Sequence, residues 1–228
     1  MFQRFLVALA GLPLVAAAQA PVPAAAPQTY VEGKHYDLID PPQPTTDPAR
    51  IEITEVFSYG CPACFQYAPA FKKLKTKLPP NTVVNYVPAS FNTAEKWPLF
   101  QRAYYTAVAL GVADKAHEEV FPAVWGPGGA LAVVDMQTRK PIELTMETIA
   151  KFYEKYGVKA EDFVATSGSF AINTKVKQAD AYIKATQVSS TPTVIVNGKY
   201  RLNMQSVGSW DAIDDLVLYL VKKESSPK

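Results

Sequence analysis

The chain has 228 residues, room for one sizeable core or for a domain carrying a large insertion. Hydrophobic residues make up 48% and charged residues 19%, an ordinary globular balance, and the net charge is +2. No basic run carries interleaved aromatics, which leaves nucleic-acid binding without support.

The first twenty residues, "MFQRFLVALAGLPLVAAAQA", hold one early cation, Arg4, then an apolar run, then small residues. That is the layout of a secretory signal peptide. The apolar run from Phe5 to Ala18 is 14 residues, against about 20 for a spanning helix. The competing reading is an uncleaved membrane anchor. Two cleavage points fit the small-x-small pattern. A cut after Ala20 leaves rigid Pro21 just beyond the bond, so the cut is placed after Ala18. Residues 1–18 are then removed with Arg4, and the charge becomes +2 − 1 = +1. No cysteine near the cut could carry a lipid. The exported compartment is oxidising.

Residues 21–28, "PVPAAAPQ", read as flexible or polyproline-like, so that 19–28 form a leader. "TYVEGKHYDLI" (29–39) reads as an edge strand with a glycine interruption, and "DPPQPTTDP" (40–48) as a loop. In "RIEITEVFSYG" (50–60) Ile51, Ile53 and Phe57 share one alternation phase, a strand signal. Glu55 falls in the same phase, so an ionisable group sits on the face expected to be buried. A helix follows Cys61: Pro62 suits the first helical position, and Lys72, Lys73, Lys75 and Lys77 crowd its last turns. Pro69 interrupts it and should kink it. "TVVNYVPASF" (82–91) is another strand.

From about 93 to 165 the pattern is helical. One helix starts near Pro98 and ends at Gly111; a second covers "DKAHEEVFPAVWG"; a third runs from a Thr145 cap to Gly157. The segment 169–187 carries Ile172, Val176, Ala179 and Ile183 on one face. "TPTVIVNGKYRLN" (191–203) holds two strand runs around Asn197-Gly198, a hairpin signal. The segment 209–223 closes as a helix with Trp210, Ile213, Val217 and Leu220 inward. The stretch between the strand at Tyr86 and Thr191 far exceeds the ~10–12 residues of a simple crossover. An α/β sheet with an inserted helical domain fits that order best.

The only two cysteines are Cys61 and Cys64, in "YGCPACFQYAP". Half a zinc site is one reading, but zinc wants four ligands and only His35 and His117 remain, far apart in sequence. Both histidines read as solvated or locally hydrogen-bonded, and Trp97, Trp125 and Trp210 as packing residues. A structural staple is a second reading, yet so short a loop removes little chain entropy. The third reading is redox turnover. Cys61 precedes a helix, where unpaired N–H groups favour thiolate over thiol. Cys64 lies one turn further on. Cys61 is therefore expected as the exposed attacking thiol and Cys64 as the resolving one. A desolvated Glu55 should have a raised pKa and could accept or relay a proton as Cys64 ionises; the alternative is that Glu55 reaches water at an edge. Pro192, next to a strand run, is a candidate cis-proline.

"FSYGCPACFQYAPAF" resembles the thioredoxin-fold active site, and "SSTPTVIVNGKY" the cis-proline strand of that superfamily. With the signal peptide, Glu55 six residues before Cys61 and the long helical region, the chain resembles the periplasmic DsbA-type thiol:disulfide oxidoreductases over about residues 30–222. The resemblance implies a thioredoxin-like domain from 29–91 and 166–228, split by a helical domain from 92–165. It implies a redox-active Cys61–Cys64 disulfide and no separate cofactor or metal. It implies oxidation of cysteine pairs in newly exported proteins, reoxidation by a DsbB-type membrane partner, and a monomer. Carried onto this chain, Cys61 forms the mixed disulfide, Cys64 resolves it, Glu55 handles the proton, and Thr191-Pro192 presents the substrate backbone. Pro62 and Ala63 complete the motif.

Three positions depart from familiar members. Ala63 stands where they carry histidine, Thr191 where several carry valine, and the strand at 82–91 lacks the lysine that can accompany the buried glutamate. Ala63 and Thr191 suggest, as alternatives, an exported reductase or isomerase. A dedicated isomerase usually brings a dimerisation domain, and none is visible before Tyr30. A peptide-binding chaperone without redox turnover is a third possibility.

Overall fold

A computed structural model describes residues 29–225. The signal peptide at 1–18, its cut and the leader at 19–28 lie outside the described residues. Five strands form one sheet: β1 (Tyr36–Leu38), β2 (Ile51–Phe57), β3 (Thr82–Pro88), β4 (Thr193–Val196) and β5 (Tyr200–Leu202), in the order β1-β5-β4-β2-β3. β3 runs parallel to β2; β4 runs antiparallel to β2 and β5, and β1 antiparallel to β5. The helices are α1 (Pro62–Lys77), α2 (Trp97–Ala109), α3 (Ala113–Trp125), α4 (Met146–Tyr153), α5 (Ala160–Ser167), α6 (Phe170–Ala185) and α7 (Trp210–Ser225). Among the described residues no helix is long and apolar enough to cross a membrane.

The edge strand read over 29–39 shortens to three residues, because Gly33 turns the chain at a φ of +76° just before it. β2 differs more. Its alternation suggests one buried face, but all seven residues are buried. β2 lies between β3 and β4, with α1 and α7 on one side and α6 on the other, so both faces are covered. Ile51 and Ile53 join Phe71, Leu74, Val194 and Val217 in one core; Val56 joins Ala179, Ile183 and Ile195 in the other. Burial of both faces carries Glu52 inside at 1% exposure. Its carboxylate accepts from Thr46 N (2.7 Å), the Thr46 hydroxyl, Thr54 Oγ1 (2.8 Å) and Asn85 Nδ2 (3.2 Å). A buried charge is tolerable only when its lone pairs are satisfied in this way.

Residues 113–125 and 145–157 are helical, with Thr145 capping α4 through Thr148 N; the last turn becomes a 3-10 helix ending at Gly157. α5 has no clear sequence signal: of its eight residues only Phe163 and Ser167 are buried. α6 buries Ile172, Ala179 and Ile183, while Val176 is half-buried. α7 is docked by its apolar stripe. Ile213, Leu216, Val217, Leu220 and Val221 are buried, at about 1.5–3 kcal/mol for each side chain. The exposed Lys73–Asp211 pair at 3.2 Å contributes no more than about 1 kcal/mol.

Asn197 and Gly198 both take left-handed φ values, +54° and +63°, as the hairpin between β4 and β5 requires. Gly198 O accepts from Gln43 N at 2.9 Å, docking the proline-rich loop on the hairpin. A Cβ at Gly198 would run into the Gln43 carbonyl. Gly198→Ala is therefore expected to cost about 2–4 kcal/mol, read as a lower denaturation midpoint in urea at unchanged slope.

Candidate active site

Cys61 is the N-cap of α1. Its backbone is extended (φ −95°, ψ 116°), and Pro62 opens the helix. A cap side chain ordinarily offers an oxygen to the third N–H of the helix. Here sulfur takes that place: Cys64 N donates to Cys61 Sγ at 3.3 Å. The local sequence explains the geometry, since Pro62 has no N–H to leave unpaired and its fixed φ suits the first turn.

The second element arrives from 130 residues away. The Thr191–Pro192 bond is cis, and the thiol of Cys61 donates to Thr191 O at 3.5 Å. Pro192 is buried, Pro62 is exposed and Ala63 is half-buried. Cys61 itself corrects the expectation of an exposed thiol. It is 5% exposed, because the Thr191 segment closes over it; Cys64 is at 0%. The ranking of the two holds, but access to Cys61 is narrow. Both are free thiols in this structure.

The surroundings split the two sulfurs electrostatically. The Cys61 thiol is pulled down by the hydrogen bond from the Cys64 side chain, against the opposing effect of burial, with further help from the Thr191 side chain and the N–H groups of Cys64 and Ala63. Burial pushes Cys64 up, and the neighbouring Cys61 and Glu55 add to it. A proton therefore leaves Cys61 first.

Glu55 lies on β2, paired with Tyr86 of β3 and Val194 of β4. It is 2% exposed, and its Oε1 is buried without a hydrogen-bond partner. Burial raises its pKa to about 8; Lys75 works the other way, and Cys61 adds to the rise. β3 supplies no lysine, but α1 does. Lys75 Nζ lies 5.9 Å from the centre of the Tyr86 ring and 3.2 Å from Glu118 of α3. Among the described residues no three histidine, cysteine, aspartate or glutamate side chains are grouped so as to hold a metal ion.

The family model of the DSBA-like thioredoxin domain matches residues 52–220. The chain belongs to the DsbA-like thioredoxin family. It is 33% identical to the thiol:disulfide interchange protein DsbA of Pseudomonas aeruginosa, over 88% of this chain and 89% of that protein. The DsbA of Azotobacter vinelandii is 31% identical over 85% and 84%. The crystal structure of P. aeruginosa DsbA superposes with a TM-score of 0.71, at 33% identity and over 86% and 94% of the two chains. DsbA from Xylella fastidiosa gives 0.75 at 28% identity, over 86% and 97%. The fold is the DsbA-like thioredoxin fold with its helical insertion, and the protein is a dithiol:disulfide oxidoreductase.

Several neighbours of this DsbA-like site escape a reading of the sequence. His117 is not solvated. It is 7% exposed, shares a 2.8 Å hydrogen bond with the Tyr59 hydroxyl through Nδ1, and is held neutral by burial and by Lys75, with its pKa lowered to about 3. His35 does make a local contact, accepting from Val31 N at 2.9 Å. Trp125 does more than pack: its Nε1 donates to Tyr59 O at 2.8 Å. Trp97 is buried beside Gly60, and Trp210 packs on Tyr67 at a ring separation of 4.9 Å. No local signal marks these partners, because each contact joins segments far apart in the chain.

The Glu55 environment has a thermodynamic consequence. An acid whose folded pKa lies above its unfolded value penalises folding as pH rises. The penalty is absent below about 4.5, grows towards about 8, and is constant above that. Glu55→Gln removes the dependence. The reduced variant is therefore expected to gain on the parent, by at most about 5 kcal/mol, as urea unfolding is followed from the lower to the higher pH. A gain that does not change with pH would show that Glu55 is not buried as a neutral acid.

Proposed function

We propose that this oxidoreductase donates the Cys61–Cys64 disulfide to cysteine pairs of newly translocated proteins through a mixed disulfide at Cys61. The carrying observation is the asymmetry of the pair. Cys61 Sγ caps a helix and faces Thr191, whereas Cys64 is fully enclosed. A substrate thiolate attacks Cys61 Sγ; the Cys61–Cys64 bond breaks and Cys64 leaves as a thiolate. Glu55, neutral up to about pH 8, is placed to give Cys64 its proton, and to take it back when the pair is reoxidised. The second substrate thiolate attacks the substrate sulfur of the mixed disulfide and expels Cys61 as thiolate. The substrate loses two electrons and the protein gains them.

In this reading residues 1–18 export the chain to the periplasm and 19–28 form a leader. Residues 29–91 and 166–228 make the thioredoxin-like domain, and 92–165 the helical insertion. Thr191-Pro192 presents a backbone edge to an extended substrate, supported by the 3.5 Å approach of Thr191 O to Cys61 Sγ. A DsbB-type membrane protein reoxidises the dithiol, and the protein works as a monomer with no cofactor beyond its own disulfide. Replacing Cys64 by alanine should trap the mixed disulfide: a peptide presented as its mixed disulfide with glutathione is expected to exchange onto the Cys61 thiolate, releasing glutathione, and to stay linked in non-reducing electrophoresis. Cys61→Ser should form no adduct and have no oxidase activity. Persistence of peptide binding and refolding assistance in Cys61→Ser, with no redox activity in the parent, would instead identify a chaperone.

The second reading, reductase or isomerase, is favoured by Ala63; Thr191, although it suggests the same reading in the sequence, lowers the Cys61 pKa through its side chain and so works the other way. Ala63 offers no side-chain donor or charge to the Cys61 thiolate. Ala63→His is expected to lower the Cys61 titration midpoint and make the disulfide more oxidising, by roughly tenfold in the equilibrium with glutathione. A thioredoxin-like low potential in the unaltered protein would reject the oxidase.

A further inference from the structure

The three residues before Cys61 are each held, and two of the holds come from the helical insertion. Ser58 closes the turn itself: Cys61 N donates to Ser58 O at 3.1 Å and Gly60 N to Ser58 Oγ at 3.1 Å. At Tyr59 the carbonyl accepts from Trp125 Nε1 of α3 at 2.8 Å, and the hydroxyl pairs with His117 of the same helix at 2.8 Å. At Gly60 the space of a side chain is filled by the Trp97 ring of α2, 2.6 Å from where a Cβ would sit. Tyr59 is 1% exposed, with its ring edge-on to Phe57 and Phe121 at 5.1 Å each. Beyond Cys61 the grip ends, and Pro62 is exposed.

We propose that Tyr59 is a positioning residue for Cys61, and that Trp125, through its bond to the Tyr59 carbonyl, lets the helical insertion set where the Cys61 sulfur lies. The two sulfur contacts, 3.3 Å to Cys64 N and 3.5 Å to Thr191 O, belong to two different segments, α1 and the loop before β4. Both are met only if the Tyr59–Gly60 peptide is fixed. The contact to Thr191 O is donated by the thiol, so the one that favours a thiolate is the bond from Cys64 N; a shift of a few tenths of an ångström that lengthens it weakens that support, because hydrogen bonds weaken steeply once distance and angle depart from their preferred ranges. The insertion is then more than a cover over the thioredoxin-like core: it is the outer wall of the redox loop. The hydroxyl bond to His117 matters for the same reason. A buried hydroxyl left unpaired costs about 1–3 kcal/mol, so Tyr59 keeps one orientation.

The inference rests on the thiolate role proposed for Cys61, and the unaltered protein separates the two. If its Cys61 titrates as an ordinary thiol, by ultraviolet thiolate absorbance in a Cys64→Ala background and in the native dithiol, the functional reading fails. If it titrates low, the variants decide. Trp125→Phe keeps a ring and removes the donor; Tyr59→Phe keeps the ring and removes the hydroxyl. Trp125→Phe is expected to raise the Cys61 midpoint by about one unit, a tenfold loss of thiolate below it, and to shift the glutathione equilibrium towards a weaker oxidant by a similar factor. Tyr59→Phe should move both in the same direction by roughly threefold, and adding His117→Phe should change little further, because the pair acts as a unit. Thermal unfolding reports which variants stay folded. A folded Trp125→Phe or Tyr59→Phe with an unchanged midpoint and equilibrium would overturn the proposal, and either variant alone suffices if the other does not fold.

Discussion

A 3.3 Å hydrogen bond from the Cys64 backbone to the Cys61 sulfur organises the site. It exists because a cysteine occupies a helix cap, where the first N–H groups have no partner within the helix. Those groups turn towards whatever acceptor the cap provides, and a thiolate is a better acceptor than a thiol. The same four residues then impose different fates on two identical side chains. Cys61 is at the end of the helix, where charge is favoured; Cys64 is one turn inside, at 0% exposure, where it is not. The chemical asymmetry of a disulfide exchange protein follows from one turn of helix.

Glu55 extends the asymmetry into the core. Most buried acids are satisfied or neutral, and this chain holds one of each on opposite faces of one strand. Glu52 faces α6 and collects four donors, so it is a structural tie. Glu55 faces α1 with an oxygen unpartnered. A carboxyl with no dedicated donors is the one that can exchange a proton: burial favours its neutral form up to about pH 8, and no hydrogen-bond donor locks the ionised form in place. Lys75, the cation whose charge acts against the rise at Glu55, is paired with Glu118 at 3.2 Å and does not hold Glu55 ionised. Local wiring, more than burial alone, separates the two acids.

How much of this is legible in the sequence depends on the range of each interaction. The start of α1, the Thr145 cap and the Asn197-Gly198 turn are set within a few residues by Pro62, a hydroxyl and two left-handed positions, and the sequence displays them directly. The alternation of β2 is visible but underdetermined. Period-two patterning reports one apolar face, and the burial of Glu52 on the other depends on α6, which enters the chain more than a hundred residues later. α5 is obscure because an eight-residue helix with two buried residues shows hardly two turns of period. Lys75, His117 and Trp125 are visible as residues but not as partners, since a contact across 58 or 66 positions leaves no local trace.

Ala63 is the position where this site differs in kind from a histidine-bearing relative. It lies between the two cysteines on the first turn, half-buried, with its N–H directed at the Cys61 sulfur. That backbone group acts whatever side chain is present, so alanine removes one support for the thiolate and leaves the others standing. The supports that remain are the Cys64 side chain, the two N–H groups and Thr191. Thr191 brings a hydroxyl that valine would lack, and its Oγ1 is buried with no other partner, which leaves it available to an ionised sulfur. The two departures therefore push in opposite directions on the same atom. Losing a histidine between the cysteines weakens the oxidant, and gaining a threonine before Pro192 partly restores the stability of the thiolate. The balance is set by geometry: a hydroxyl helps only if the Thr191 segment and the cap of α1 stay in register. The residues that keep that register belong to the redox centre as much as the four residues of the motif do.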